Sequence, residues 1–299
     1  MGLLQELHAS GCSFTGALPA SIGNAISLHV LDLEHSDLSG PLDPNILNCA
    51  SLRTLNLAHN AFDGPLPTQC VETAGSVEAD AALCAGVQMG TATSRADCEA
   101  VQRTDGGGAA CTFLSLLSNM GGMQHLDLSY NSFDGGITDL LDMLPVSYPT
   151  LTQFNLEENR FSGPIPATLS KLGNVMDMHL AGNQFTSLPA AGLSLELCSK
   201  FDVHDNKIAG ALPSLAGLTR LAYLDVYDNL LTGGLGDLSQ SCMLVSIDAH
   251  DNSMTELGQL PTSLKTADFD SNQIAIDVAN IGLSNAHCAL HTLEIERNQ

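Results

Sequence analysis

Leu52-Arg53-Thr54-Leu55-Asn56-Leu57-Ala58-His59-Asn60-Ala61-Phe62 is one copy of a phrase that recurs along the chain. Leu221-x-x-Leu224-x-Val226-x-x-Asn229-x-Leu231 is another. In Leu55-x-Leu57 apolar and polar residues alternate, the period of a strand with one buried face. The Asn that follows stands where the chain turns away. Its amide carries two donor hydrogens and an acceptor, enough to satisfy backbone groups that a buried turn leaves unpaired.

The phrase occurs eleven times. Nine copies carry the Asn, at Asn60, Asn131, Asn159, Asn183, Asn206, Asn229, Asn252, Asn272 and Asn298; Ser36 and Cys12 take its place in the first two. Stacked copies imply a ladder of these asparagines. No single copy can bury its own leucines, so the copies must share one continuous core.

The pattern resembles the leucine-rich repeat, L-x-x-L-x-L-x-x-N/C-x-L. Most copies continue as x-Phe/Leu-x-Gly-x-Leu/Ile-Pro, as in Phe161-Ser162-Gly163-Pro164-Ile165-Pro166. This is similar to the plant-type subclass of receptor-kinase ectodomains, receptor-like proteins and polygalacturonase inhibitors. Leu257-Gly258-Gln259-Leu260-Pro261 departs from it and is shorter. The resemblance implies an α/β repeat fold: a right-handed, curved solenoid of about eleven repeats, with a parallel β-sheet on the concave face. In such a fold Gly supplies the free φ of the bend, and Pro marks the return path on the far side.

Successive Asn positions lie 20–28 residues apart, except for the 71 between Asn60 and Asn131. The expected organisation is therefore repeats one to three in 1–68, an insertion on the convex side in 69–112, and repeats four to eleven in 113–299. The first repeat starts without a polar cap and the last stops just after its strand. Because solenoids need terminal caps, the sequence reads as part of a longer chain.

Cys70, Cys84, Cys98 and Cys111 are spaced almost evenly through the Gly- and Ala-rich insertion. A segment with so few large apolar residues needs staples, so these read as two disulfides, with all three connectivities open. Reduced thiols are the plainer reading. A zinc site is disfavoured by the lack of paired C-x2-4-C spacing. Disulfides would mean an oxidising compartment, extracellular or at the cell surface; reduced thiols would suit a cytoplasmic chain. Cys12, Cys49, Cys198, Cys242 and Cys288 fall within repeats and read as core residues.

The formal charge is −23, from 33 acids against 10 Lys and Arg. That disfavours nucleic acid and anionic membrane as partners and permits a basic protein or peptide, though solubility alone is the simpler account. No apolar run is long enough for a membrane span, no signal peptide is visible, and no direct membrane contact is expected. With no Trp and four Tyr, a sugar-binding platform is disfavoured. Phosphate-loop, zinc-protease, serine-hydrolase and kinase signatures are absent from the sequence. No cofactor and no enzymatic activity are expected.

The resemblance implies binding along the concave face. From Asp202 onward its outward positions are almost all acid, His or Tyr. The preferred ligand-binding patch is Asp202, His204, Asp225, Tyr227, Asp248, His250, Asp268 and Asp270. Asp between the two strand leucines is common in the family, so that column also has a purely structural reading. A metal held by His204, His250 and their aspartates lacks tight ligand spacing and is set aside. A pH-sensing role for these histidines stays open. The expected function is a receptor-like or secreted recognition module. The alternatives are an intracellular scaffold with reduced cysteines and an inhibitor of a secreted hydrolase.

Overall fold

The computed structural model describes residues 2–72, 111–142, 144, 148–235, 238, 241–257, 260–275 and 289–298. It is a right-handed leucine-rich-repeat solenoid. Eleven three-residue strands form one parallel sheet: Glu6–His8, Val30–Asp32, Thr54–Asn56, His125–Asp127, Gln153–Asn155, Asp177–His179, Lys200–Asp202, Tyr223–Asp225, Ser246–Asp248, Thr266–Asp268 and Thr292–Glu294. Spatial order follows chain order, so each repeat adds one strand beside the last. Thr54–Asn56 pairs directly with His125–Asp127, so the long insertion leaves the sheet register intact.

The central residue of each strand points inward. Leu31, Leu55, Leu126, Phe154, Met178, Phe201, Leu224, Ile247 and Ala267 are buried in a core that runs the length of the array. Burying a side chain of Leu or Phe size stabilises by about 1.5–3 kcal/mol before entropy is counted.

Every repeat then turns through a left-handed residue just before the Asn position. Gly11, His35, His59, Tyr130, Glu158, Gly182, Asp205, Asp228, Asp251, Ser271 and Arg297 all have φ between 46° and 69°. The following Asn holds that turn in place. Asn206 Nδ2 donates to the carbonyls of Val203 and His204 in its own repeat and of Leu180 in the one before, and its Oδ1 accepts from Phe185 N at 2.9 Å. Asn60, Asn131, Asn159, Asn183, Asn229, Asn252, Asn272 and Asn298 repeat this arrangement. Each amide therefore ties two successive repeats together.

The x-Phe-x-Gly-Pro continuation forms a second set of parallel strands. Thr15–Gly16, Asp37–Pro41, Ala61–Pro65, Ser132–Gly135, Arg160–Pro164 and Gln184–Ser187 make a six-stranded sheet, and Ala209–Ala211, Leu230–Gly233 and Ser253–Met254 a three-stranded one. Pro41, Pro65 and Pro164 close strands of this sheet, while Pro19 and Pro166, which follow the Leu or Ile of the pattern, stand at the start of the far-side turns as expected. Phe62, Phe133 and Phe161 point from it into the core and stack at 5.9 and 6.2 Å between ring centres. Among the described residues, the far side carries short turns of helix, such as the 3-10 turns Ala20–Asn24 and Pro44–Asn48 and the α-turns Leu116–Asn119 and Thr138–Asp142.

At the insertion, Thr68–Glu72 and Cys111–Ser115 form an antiparallel ribbon in which Cys70 faces Phe113 and Cys111 faces Glu72. Cys84, Cys98 and Cys288 lie outside the described residues, and for Cys70 and Cys111 the description extends to the backbone alone. Among the repeat cysteines, Cys49 and Cys198 are buried, and burial pushes the Cys198 thiol up to about 12. Cys12 and Cys242 are exposed, which corrects their reading as core. Cys242 lies in a turn that buries the flanking Ser241 and Leu244 instead. Cys12 sits at the ladder position of the first repeat and donates to Ser10 O.

Candidate functional site

The paired strand ends place Asp202, Asp225, Asp248 and Asp268 side by side: Asp202 is in register with Asp225, Asp225 with Asp248, and Asp248 with Asp268. Two residues along each strand stand His204, Tyr227, His250 and Asp270. The structure thus brings all eight predicted residues onto adjacent strands of one face.

The first column has a local job. Oδ1 of Asp268 accepts the backbone N–H of Asp270 at 2.9 Å, and Asp202 and Asp248 reach the N–H groups of His204 and His250 at 3.4 Å. Asn56, Asp127 and Asn155 do the same in earlier repeats. A short side-chain acceptor here satisfies the N–H of the turn, which explains why Asx residues fill the column.

The second column is a stack. Tyr227 lies between His204 and His250, with ring centres at 4.3 and 4.4 Å and planes within 11°. The first-column acids hold the imidazoles from the side: His204 Nδ1 is 2.6 Å from Asp202 Oδ1, and His250 Nδ1 is 2.5 Å from Asp248 Oδ1. Those hydrogen bonds favour the charged ring. The bond to Asp202 raises the His204 pKa against the pull of burial, and for His250 the bond and charge of Asp248 outweigh a larger desolvation penalty, again raising it. Burial, and then the surrounding carboxylates, push Tyr227 up to about 12, so its hydroxyl remains a donor.

Asp202 stands apart from the rest of the acidic row, because its side chain is only 4% exposed. Burial works to raise its pKa, but hydrogen bonds and charge from His204 and Lys200 prevail and lower it. Lys200 Nζ bridges Asp202 Oδ2 at 2.9 Å and Asp225 Oδ2 at 3.4 Å. Desolvation opposes the lysine's charge, yet the two carboxylates leave its pKa raised. Asp225 moves the other way: burial and the charge of Asp202 raise it despite Lys200. Lys200 is the charged residue of this face that the two-column reading missed. It begins its strand and so belongs to a third outward column, two residues before Asp202, which the period-two alternation implies.

The same face carries a hollow of about 430 Å³ over earlier strands, lined by Asn56, His125, Asp127, Gln153, Asn155 and His179 among others. It lies outside the eight predicted residues. Among the described residues, no helix is long and apolar enough to cross a membrane.

A parallel sheet with one strand per repeat, an asparagine at each turn and an acid-and-imidazole face define a repeat-built protein of the leucine-rich class. The family pattern named Leucine Rich Repeat matches residues 3–25, 51–71, 122–144 and 150–172, in line with the leucine-rich-repeat solenoid fold. The chain is 35% identical over 88 residues to the receptor-like kinase TMK4 of Arabidopsis thaliana, a stretch that covers 29% of this chain and 9% of that protein. Among solved structures it is similar to the plant peptide hormone receptor RGFR1 in complex with RGF2, at 21% identity and a TM-score of 0.72. That match covers 99% of this chain and 40% of the receptor. A TDR receptor matches at 21% identity and a TM-score of 0.71, over 99% of this chain and 43% of the other. At these identities the likeness is one of fold, and this chain spans well under half the length of each of these relatives.

Proposed function

We propose that the chain is a non-enzymatic recognition module that binds a basic segment of a protein or peptide along its concave sheet. The observation that carries this reading is the row Asp225, Asp248 and Asp268, which continues from the buried Asp202 that Lys200 already bridges to Asp225. Carboxylates on neighbouring strands about 4.8 Å apart repel by roughly 0.8–1 kcal/mol per pair in water. A cationic ligand converts that repulsion into attraction. Beside the row, His204, Tyr227 and His250 offer a flat stacked wall for the aliphatic stem of a lysine or arginine. Asp270 extends the acid surface toward the last strand. The likeness to the plant peptide hormone receptor RGFR1 in complex with RGF2 supports a protein or peptide ligand, and a place at the cell surface or outside the cell.

Binding of the whole chain to lysine- and arginine-rich peptides, compared with acidic peptides of equal length, tests the reading. The basic set should bind, more weakly as salt rises. Asp225→Lys, Asp248→Lys and Asp268→Lys together should lower that affinity at least tenfold while circular dichroism stays unchanged. Undiminished binding by the triple variant would reduce the row to its turn-capping role. Counting free thiols under denaturing, non-reducing conditions tests the compartment: five of the nine cysteines free supports an oxidising one, and nine free opposes it.

A further inference from the structure

We propose that Glu34, His35 and His59, near the other end of the array, form a binding site for one divalent transition-metal cation of the zinc type. One donor atom from each residue lies within 4.8 Å of the other two. The repeat itself creates this cluster. His35 and His59 occupy the left-handed turn position of consecutive repeats, with φ of 51° and 53°. The shared backbone conformation throws both imidazoles to the same place, where they lie parallel with centres 4.1 Å apart. Glu34 precedes His35 and turns Oε1 to within 3.3 Å of its Nε2.

Two imidazoles and one carboxylate form a donor set that zinc accepts, with a fourth position left for water or a partner's ligand. Imidazole selects against magnesium and calcium, which prefer oxygen alone. Glu34 is also oriented from behind: Asn56 Nδ2 donates to its Oε2 at 3.0 Å, leaving Oε1 to point at the histidines. Metal-binding carboxylates are characteristically held by such outer hydrogen bonds. Tyr130 stacks on the far side of His59 at 4.3 Å and fixes that ring. His35, with a side chain 59% exposed, is free to turn. Metal–ligand bonds of about 2.0–2.2 Å place tetrahedral donors roughly 3.3 Å apart. For both imidazoles to aim a ring nitrogen at one cation, the His35 ring must rotate out of its parallel stack on His59.

Among the described residues, two other groups of donors lie toward the opposite end of the array and fit less well. Asp248, His250 and Asp268 contain one imidazole, whose Nδ1 already bonds Asp248; Asp268, Asp270 and Glu294 are carboxylates alone. The paired histidines distinguish the site at Glu34.

Cobalt(II) serves as the optical probe. Titrating the full chain should give visible d–d bands that saturate at one equivalent, with no thiolate charge-transfer band, and zinc(II) should bleach them. His35→Asn with His59→Asn should lower affinity at least tenfold; Asn tolerates the left-handed turn, so the fold should be kept. Glu34→Gln, which leaves the turn untouched, should weaken binding several-fold. His204→Asn with His250→Asn should leave the titration unchanged. A thiolate band, or cobalt binding undiminished in both the double histidine variant and Glu34→Gln, overturns the site.

Discussion

Nδ1 of His204 lies 2.6 Å from Oδ1 of Asp202, and the carboxylate it meets is 4% exposed. The pair binds its protons differently folded and unfolded, so it links stability to pH. Asp202 has a lowered pKa when folded; its contribution is present above the usual carboxylate value of 3.8 and is lost as pH falls through the lowered one. His204 has a raised pKa; its contribution is complete below the usual 6.5 and is lost as pH rises through the raised value. The two overlap between the usual carboxylate and usual imidazole values. His204→Gln should therefore lower the melting temperature most in that window, by the equivalent of about 1–3 kcal/mol. The gap should narrow at alkaline pH. Thermal melts from pH 4 to 9 check this, and a gap independent of pH would show that the ion pair contributes nothing.

Lys200→Met should cost more than its partial exposure suggests. It strips the cation from both Asp202 and Asp225 and leaves a buried carboxylate to His204 alone. A fully buried pair broken this way loses about 3–5 kcal/mol; solvent around the lysine reduces that to about 1–3 kcal/mol. Lys207→Met, which removes an exposed contact to Gln184, should stay within about 0.5 kcal/mol. Denaturant titrations of both variants and of Lys200→Met/Asp202→Asn test the coupling. The double variant should recover part of the loss.

The Asn phrase made the main sheet legible, because one strand per repeat and a two-residue alternation follow from its leucines. It also placed Asp225, Tyr227 and their neighbours on one face. The second sheet was not legible. Ala61–Pro65 contains Gly and Pro, which read as turn, and its pairing with Asp37–Pro41 depends on the solenoid stacking already in place. The stacks of His35 on His59 and of His204 on Tyr227 join residues a full repeat apart, and no local pattern displays them. Burial of Asp202 depends on how Lys200 folds over it. Exposure of Cys242 depends on which side of its turn faces the core. These are tertiary outcomes at positions where the repeat leaves the residue free.

Asn206→Ala should destabilise by about 2–4 kcal/mol. It removes the acceptor for Phe185 N, which is buried in the strand Gln184–Ser187 of the preceding repeat, and frees the carbonyls of Leu180, Val203 and His204. An orphaned buried N–H alone costs about 1–3 kcal/mol. Asn206→Asp should be worse, because it keeps the acceptor but presents a carboxylate to three carbonyl oxygens. Chemical denaturation gives both values. Equal stability of the Ala variant and the parent would deny the amide its role in joining repeats.

Two glycines should fail for different reasons. A Cβ on Gly23 would stand 2.3 Å from the carbonyl oxygen of Asn45, where the turn Ala20–Asn24 stacks on Pro44–Asn48. The obstacle is backbone, so Gly23→Ala must pry two repeats apart, at about 1–3 kcal/mol. Gly163 has open space around its Cβ position but a φ of +80°. Gly163→Ala therefore costs only conformational strain, about 1–2 kcal/mol. Asn distinguishes the two positions. It tolerates the left-handed region, so Gly163→Asn should recover much of the loss, whereas Gly23→Asn should be worse than Ala because the larger side chain meets the same carbonyl. Hydrogen exchange should locate the Gly23 effect in the turns of the first two repeats. Rescue by Asn at Gly23 would mean that the turns separate easily and that stacking there is loose.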